Sequence, residues 1–284
     1  DRLTTIGGHA FESCDSLRTI RIGTGLSYIG VDAFEATCSY YESVYVSIDS
    51  MEHWLSLELE SYYSNPCFGE SSYLEIEDSD YETVIIPDSI TEVREYAFMN
   101  CKNIRYVDIP DHVTSIGRNA FYGCSNIEQI DLGSGLTSVG TAAFRAIDHS
   151  RTVTIPSLKD WLEIRFGSWD ANPLTYFEEE APILYIGGMV YTEIVVTENM
   201  PQPGPYAFGG FGDLISVTLP NTMKEIPEGL FYRCEYLQEV SIPDSVRAIG
   251  DYAFSWCHNL TDIYIPDGTT TIGESAFKYC NSLT

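Results

Sequence analysis

A 23-residue metre runs through this chain and constrains its fold more than any other feature. An Ala-Phe pair keeps the beat: its first slot falls at Ala10, Ala33, Ala97, Ala120, Ala143, Ala207, Leu230, Ala253 and Ala276, so six of eight intervals are 23 residues and two are 64. A second marker, two apolar residues separated by one, recurs ten times: Ile20/Ile22, Val44/Val46, Val84/Ile86, Val107/Ile109, Ile130/Leu132, Val153/Ile155, Ile194/Val196, Val217/Leu219, Val240/Ile242 and Ile263/Ile265. Alternation with period two marks a strand buried on one face. A strand repeated at this interval, with no hairpin between copies, must lie parallel to its predecessor at a rise of about 4.8 Å, which makes a solenoid. A lone coil buries too little apolar surface to offset its ordering entropy, so coils fold only by stacking.

Other slots have local reasons. Pro87, Pro110, Pro156, Pro220, Pro243 and Pro266 follow the second strand residue and fix φ where the ladder ends. Ile-Gly steps at Ile6, Ile29, Ile116, Ile249 and Ile272 mark a second bend, followed by an irregular or short helical convex segment. The enlarged coils, about 44–84 and 153–194, share a grammar: Trp54-Leu55 leads to Asn65-Pro66 and Leu74-x-Ile76, as Trp161-Leu162 and Phe166 lead to Asn172-Pro173 and Leu184-x-Ile186. Each is expected to add a short amphipathic helix ended by Asn-Pro, and an antiparallel strand. Pro-rich Met200–Pro205 reads as a local distortion of one continuous solenoid, 1–284, because the metre resumes at Ala207.

The chain carries 42 acidic against 15 basic side chains, a formal charge of −27, which repels phosphates and excludes nucleic acid as a partner. No run of eighteen apolar residues is present, so no membrane-spanning segment is expected. Both ends fall in mid-repeat, as in a piece of a longer protein.

Leu237-x-x-Val240-x-Ile242 and Leu260-x-x-Ile263-x-Ile265 match the first half of the leucine-rich pattern, while its Asn slot holds Ser89, His112, Gly135, Ser245 and Gly268. With I-P-D-S-V-x-x-I-G-x-x-A-F-x-x-C, the sequence resembles the BspA-like leucine-rich repeats of bacterial and protist surface proteins. That resemblance implies a right-handed coil with a parallel concave sheet, here of about ten strands. It also implies a secreted or cell-surface setting and a non-catalytic, adhesin-like role. The alternatives are a spacer or targeting arm of a larger secreted enzyme and a hydrolase with an unrecognised carboxylate pair.

The conspicuous residues resolve into structure. Six cysteines, Cys14, Cys101, Cys124, Cys234, Cys257 and Cys280, share one slot; stacked side chains run parallel instead of converging on a disulfide torsion, so they read as free thiols. The five histidines fall in unrelated slots and no C-x-x-C or H-E-x-x-H occurs, so neither a metal nor a cofactor is expected. Gly23/Gly25 and Gly133/Gly135 are substituted turns, not phosphate loops, and the acidic runs Glu75–Asp80 and Glu178–Glu180 read as solvated loops before calcium ligands. Binding is expected on the open sheet face, at Arg18, Arg21, Tyr45, Arg105, Tyr106, Asp108, Glu128, Asp131, Asp262 and Tyr264, with Glu42 beside them. The expected partner is a surface or matrix protein, or a glycan, of a host or neighbouring cell, met by a monomer.

Overall fold

The computed structural model describes residues 2–36, 43–67, 72–77, 79–175 and 181–284, with backbone alone at 79–80. The main ladder is parallel and comes in three hydrogen-bonded blocks. The first joins Thr19–Arg21, Val44–Ile48 and Ser72–Ile76; the second joins Thr83–Ile85, Tyr106–Ile109, Gln129–Leu132, Thr152–Ile155 and Ile183–Ile186; the third joins Glu193–Val195, Ser216–Thr218 and Glu239–Ser241. Register follows the metre, with Val84, Val107, Ile130 and Val153 in line and all buried.

Two expectations about this ladder change. Ser72–Ile76 and Ile183–Ile186 are not antiparallel additions: they pair parallel with Val44–Ile48 and Thr152–Ile155. The antiparallel element shrinks to Ser79–Asp80 against Glu75–Ile76 and to a single Ile186–Met189 bridge. In the second case Gly187 (φ 58°) and Gly188 (φ 78°) take the left-handed pair that a two-residue hairpin turn requires. The strand expected at Ile263/Ile265 is not formed; Ile263 is only half-buried and Ile265 is exposed.

The Ile-Gly step is more than a bend. It carries a second parallel ladder of two-residue strands, such as Glu92–Val93, Ser115–Ile116, Ser138–Val139 and Arg165–Phe166. Glycine is needed there for close approach: a Cβ on Gly117 would stand 2.4 Å from Glu95 N of the preceding coil. No strand of this ladder forms over 201–205, where Pro201, Pro203 and Pro205 have no N–H to offer.

From there the chain turns through the Ala-Phe arc. In every arc the residue before the Ala and the one three after it have positive φ, for example Tyr96 and Asn100, Asn119 and Gly123, Tyr252 and Trp256. Most are not glycine, and such conformations persist only where surroundings over-determine them. Here the surroundings are bonds to the next coil: Tyr96, Phe98 and Asn100 donate to the carbonyls of Arg118, Ala120 and Tyr122 at 3.0, 2.7 and 2.7 Å. The rings stack in step, Phe98 on Phe121 at 5.1 Å and Phe121 on Phe144 at 5.3 Å.

Among their described residues the enlarged coils show no such arc and build a substitute. Helices α1 (Met51–Ser56) and α2 (Leu158–Glu163) are capped by Ser50 and Ser157, whose hydroxyls accept from His53 N and Asp160 N. Each is shorter than expected. Phe166 lies in the second ladder, and Asn172 ends a later 3-10 turn at Trp169–Ala171. The buried Trp54 and Trp161 donate Nε1–H to Ala97 O (2.8 Å) and Ala207 O (2.7 Å), the acceptors that a preceding Phe N–H serves in ordinary coils. Asn172 Nδ2 adds bonds to Tyr206 O (2.9 Å) and Gly209 O (3.1 Å), and Asn65 Nδ2 bonds Tyr96 O. Side-chain donors thus replace backbone ones where the repeat is interrupted. Arg94 closes α1 through Leu55 O (3.0 Å) and Trp54 O, and burial lowers its pKa to about 9.

Candidate binding face

On a strand buried on one face, every second side chain points to solvent. In the second block these are Thr83 and Ile85, Tyr106 and Asp108, Gln129 and Asp131, Thr152 and Thr154, in register across four strands. Tyr106, Asp108 and Asp131 are therefore brought together, with Arg105 and Glu128 at the strand entrances. Arg105 is held by Glu128, its Nε 3.2 Å from Oε1 with Nη2 closer still, while the Tyr106 hydroxyl lies 3.4 Å from Glu128 Oε2. The pair raises the Arg105 pKa and, chiefly through the Arg105 hydrogen bond, lowers that of Glu128. Asp131 accepts from Gln129 Nε2 (2.7 Å) and Thr154 Oγ1 (2.6 Å), so its orientation is fixed before any ligand arrives.

The other expected residues lie apart from this group. Arg21 and Tyr45 belong to the first block, with the Tyr45 ring stacked on Tyr73 at 5.1 Å and 16°. Arg18 turns its guanidinium onto Asp15 O and Leu17 O, both at 2.9 Å, and Glu42 lies outside the described residues. Asp262 and Tyr264 sit beyond the third block in a segment with no strand, where the charge of Asp244 is the first cause raising the Tyr264 pKa. The ten candidates thus divide among the first block, the middle block and the strandless segment beyond the third, and the middle set forms one patch.

Sequence reasoning missed Tyr73, Thr154 and Arg151. Tyr73 was hidden because its strand was assigned to an antiparallel insert. Arg151 was legible: it stands two periods after Arg105.

The remaining sites behave as structure. Cys124, Cys234, Cys257 and Cys280 each donate S–H to the Phe carbonyl of the preceding coil, at 2.8 to 3.2 Å. Burial raises the pKa of all four, leaving protonated, unreactive thiols. At Gly133-Ser134-Gly135, Ser134 N and Oγ are taken by Asp111 Oδ1 at 2.7 and 2.9 Å, so no amide cradle is left for phosphate. Among the described residues, His9, Glu12 and Glu35 bring three ligand atoms within 4.8 Å on the first two arcs; His9 and Glu12 are exposed and already pair at 3.1 Å. Of the acidic runs, the side chains of Asp78–Asp80 and all of Glu178–Glu180 lie outside the described residues. No helix among the described residues is long and apolar enough to cross a membrane.

Comparison with known proteins bears on this geometry. A family model described as BspA type leucine rich repeat region matches residues 1–54, 71–177 and 188–284 in six copies. No curated protein matches the chain. Among solved structures, a leucine rich cell surface protein from Faecalibacterium prausnitzii is 23% identical, over 99% of this chain and 76% of that one, with a TM-score of 0.50. The pneumococcal vaccine antigen PcpA is 16% identical over 96% and 71%, with a TM-score of 0.55. A leucine-rich repeat protein from Eubacterium ventriosum is 18% identical over 99% and 81%, with a TM-score of 0.50. At these identities the likeness establishes the solenoid alone.

Proposed function

Because the chain belongs to the BspA type of leucine-rich repeat proteins, we propose that it is a non-catalytic interaction module working outside the cell. It binds a protein or glycan of a neighbouring cell or its matrix through the solvent face of the middle block. One observation carries this reading: Tyr106, Asp108 and Asp131 lie side by side on hydrogen-bonded strands, with Asp131 already oriented by Gln129 and Thr154. A rigid sheet that holds aromatic and charged groups in place loses little entropy when a partner docks. The names of two structural neighbours, a cell surface protein and a vaccine antigen, support an exterior setting.

Immobilised chain should capture a partner from matrix and cell-surface extracts. A double variant, Tyr106→Ala with Asp108→Ala, should lose it while keeping the parent's thermal midpoint. Capture unaffected by the double change overturns the assignment of the face.

A further inference from the structure

The contact between Arg105 and Glu128 is one step of a longer row. Glu82, Arg105, Glu128 and Arg151 succeed one another at 23 residues. Backbone bonds stack them: Arg105 N to Glu82 O (2.8 Å), Glu128 N to Arg105 O (2.8 Å) and Arg151 N to Glu128 O (2.9 Å). Charge alternates along the row, so each interior residue has an opposite charge on both sides. Arg151 is the open end. Glu128 already engages Arg105 and Tyr106, and the next coil enters at buried Pro182 and exposed Ile183, the latter's N–H bonding Arg151 O at 3.0 Å. The exposed Arg151 guanidinium makes no hydrogen bond or ion pair among the described residues.

Two hollows, of about 410 and 310 Å³, meet at His149 and Arg151. Lys102 and Tyr73 line the larger, so three of the chain's 15 basic residues, Lys102, Arg105 and Arg151, face one space in a protein of charge −27. Glu82 and Glu128 line it too, and Glu128 is matched by Arg105. His149 is held by a bond from Nδ1 to Ser125 O (2.7 Å); since a carbonyl only accepts, Nδ1 carries the proton. The smaller hollow holds the stronger sign of a ligand. Ser150 is 6% exposed, its Oγ has no partner, and Asp148 Oδ1 is likewise buried and unpartnered. Buried polar atoms left without partners are costly, and the residues that carry these two line the same hollow as Arg151, whose charge otherwise acts on Glu128 without a hydrogen bond.

We propose that Arg151 anchors a subsite for an acidic saccharide. This rests on the binding-face reading above and narrows its ligand. The guanidinium takes the carboxylate or sulfate of the sugar, and Asp148 and Ser150 take its hydroxyls. Tyr73, its ring stacked on Tyr45, lines the adjoining hollow with an aromatic surface for sugar C–H groups. An acidic peptide would also satisfy Arg151 and could serve Asp148 through backbone N–H groups; the Tyr73 ring beside several hydrogen-bonding groups favours the saccharide, and the peptide arm of the test decides between them.

The test is calorimetric titration at low ionic strength with an oligosaccharide of alternating glucuronic acid and N-acetylglucosamine. Its carboxyl-reduced neutral counterpart, a sulfated sugar without carboxylate and a Glu-containing peptide form the other arms. Binding of the uronate or the sulfated sugar is expected, at least tenfold weaker for the neutral oligosaccharide and in Arg151→Gln, and unchanged in Tyr264→Ala. Arg151→Gln should keep the parent's thermal midpoint, since the side chain makes no hydrogen bond or ion pair among the described residues. Equal binding of the neutral sugar, preference for the peptide, indifference to Arg151→Gln or no binding of either acidic sugar overturns the subsite. A captured partner lost in the Tyr106/Asp108 double variant but kept in Arg151→Gln would overturn the subsite and leave the face standing. Arg151-dependent sugar binding without Tyr106/Asp108-dependent capture would do the reverse.

Discussion

Replacing Asn172 by Asp isolates what a side chain does when it stands in for a coil. The change is nearly isosteric at a fully buried position, so no cavity complicates the result. Asn172 accepts from Leu174 N (2.9 Å) and donates to Tyr206 O (2.9 Å) and Gly209 O (3.1 Å). A protonated Asp keeps the acceptor and one donor, and Tyr206 O still accepts from Gly209 N (2.9 Å), so at low pH the loss is one buried hydrogen bond, about 0.5–1.5 kcal/mol. At neutral pH the acid must either ionise against two carbonyls or hold its proton. Holding it at pH 7 against an unfolded pKa of about 3.9 costs about 4 kcal/mol at 1.36 kcal/mol per unit, which caps the further penalty. The folded-state pKa of such an Asp is raised, so the chain binds more protons folded than unfolded, and stability falls as pH rises above about 4. Urea unfolding of Asn172→Asp and parent at pH 4 and pH 7 measures both terms, with amide exchange across Gly204–Phe211 locating the loss. A penalty below about 1 kcal/mol that does not change with pH would refute the substitution of side-chain for backbone donors.

Trp161→Phe and Trp54→Phe remove the matching indole donors, and each should cost about 1–3 kcal/mol for the orphaned carbonyl beyond the loss of ring area, read by urea midpoint against parent. Gly117→Ala, whose new Cβ would meet Glu95 N at 2.4 Å, should destabilise more than Gly188→Ala, where nothing lies within 4 Å and only a positive φ of 78° opposes the change; thermal melts rank the two. Thiol alkylation at pH 8 followed by mass spectrometry should label the exposed Cys14 rapidly and Cys101, Cys124, Cys234 and Cys257 only after unfolding, because burial holds the last four protonated. Glu128→Gln removes an exposed ion pair and should leave the melting midpoint in low salt close to the parent's, since solvent screens the pair.

The sequence by itself determined the repeat, and with it the parallel ladder, the stacked Phe and Cys columns and the places where the metre fails. Periodicity carries that information because each slot faces the same neighbour in every coil: Phe98, Phe121 and Phe144 meet one another as surely as they recur. What happens inside an interruption was decided by tertiary structure. Leu74-x-Ile76 reads equally well as a strand running either way, and only its neighbour Val44–Ile48 fixes it as parallel. Trp54 and Trp161 read as core apolar residues, and their second task, donating to the arcs at Ala97 and Ala207, depends on atoms more than 40 residues away. The binding face divides in the same manner. Outward positions follow from period two, but Tyr45 is parted from Tyr106 where a hairpin interrupts the ladder, and Tyr264 lies past a second hairpin in a coil whose strand does not form. Arg151 is the open end of its charge row only because Pro182 occupies the next place, a contact between coils that spacing alone does not specify.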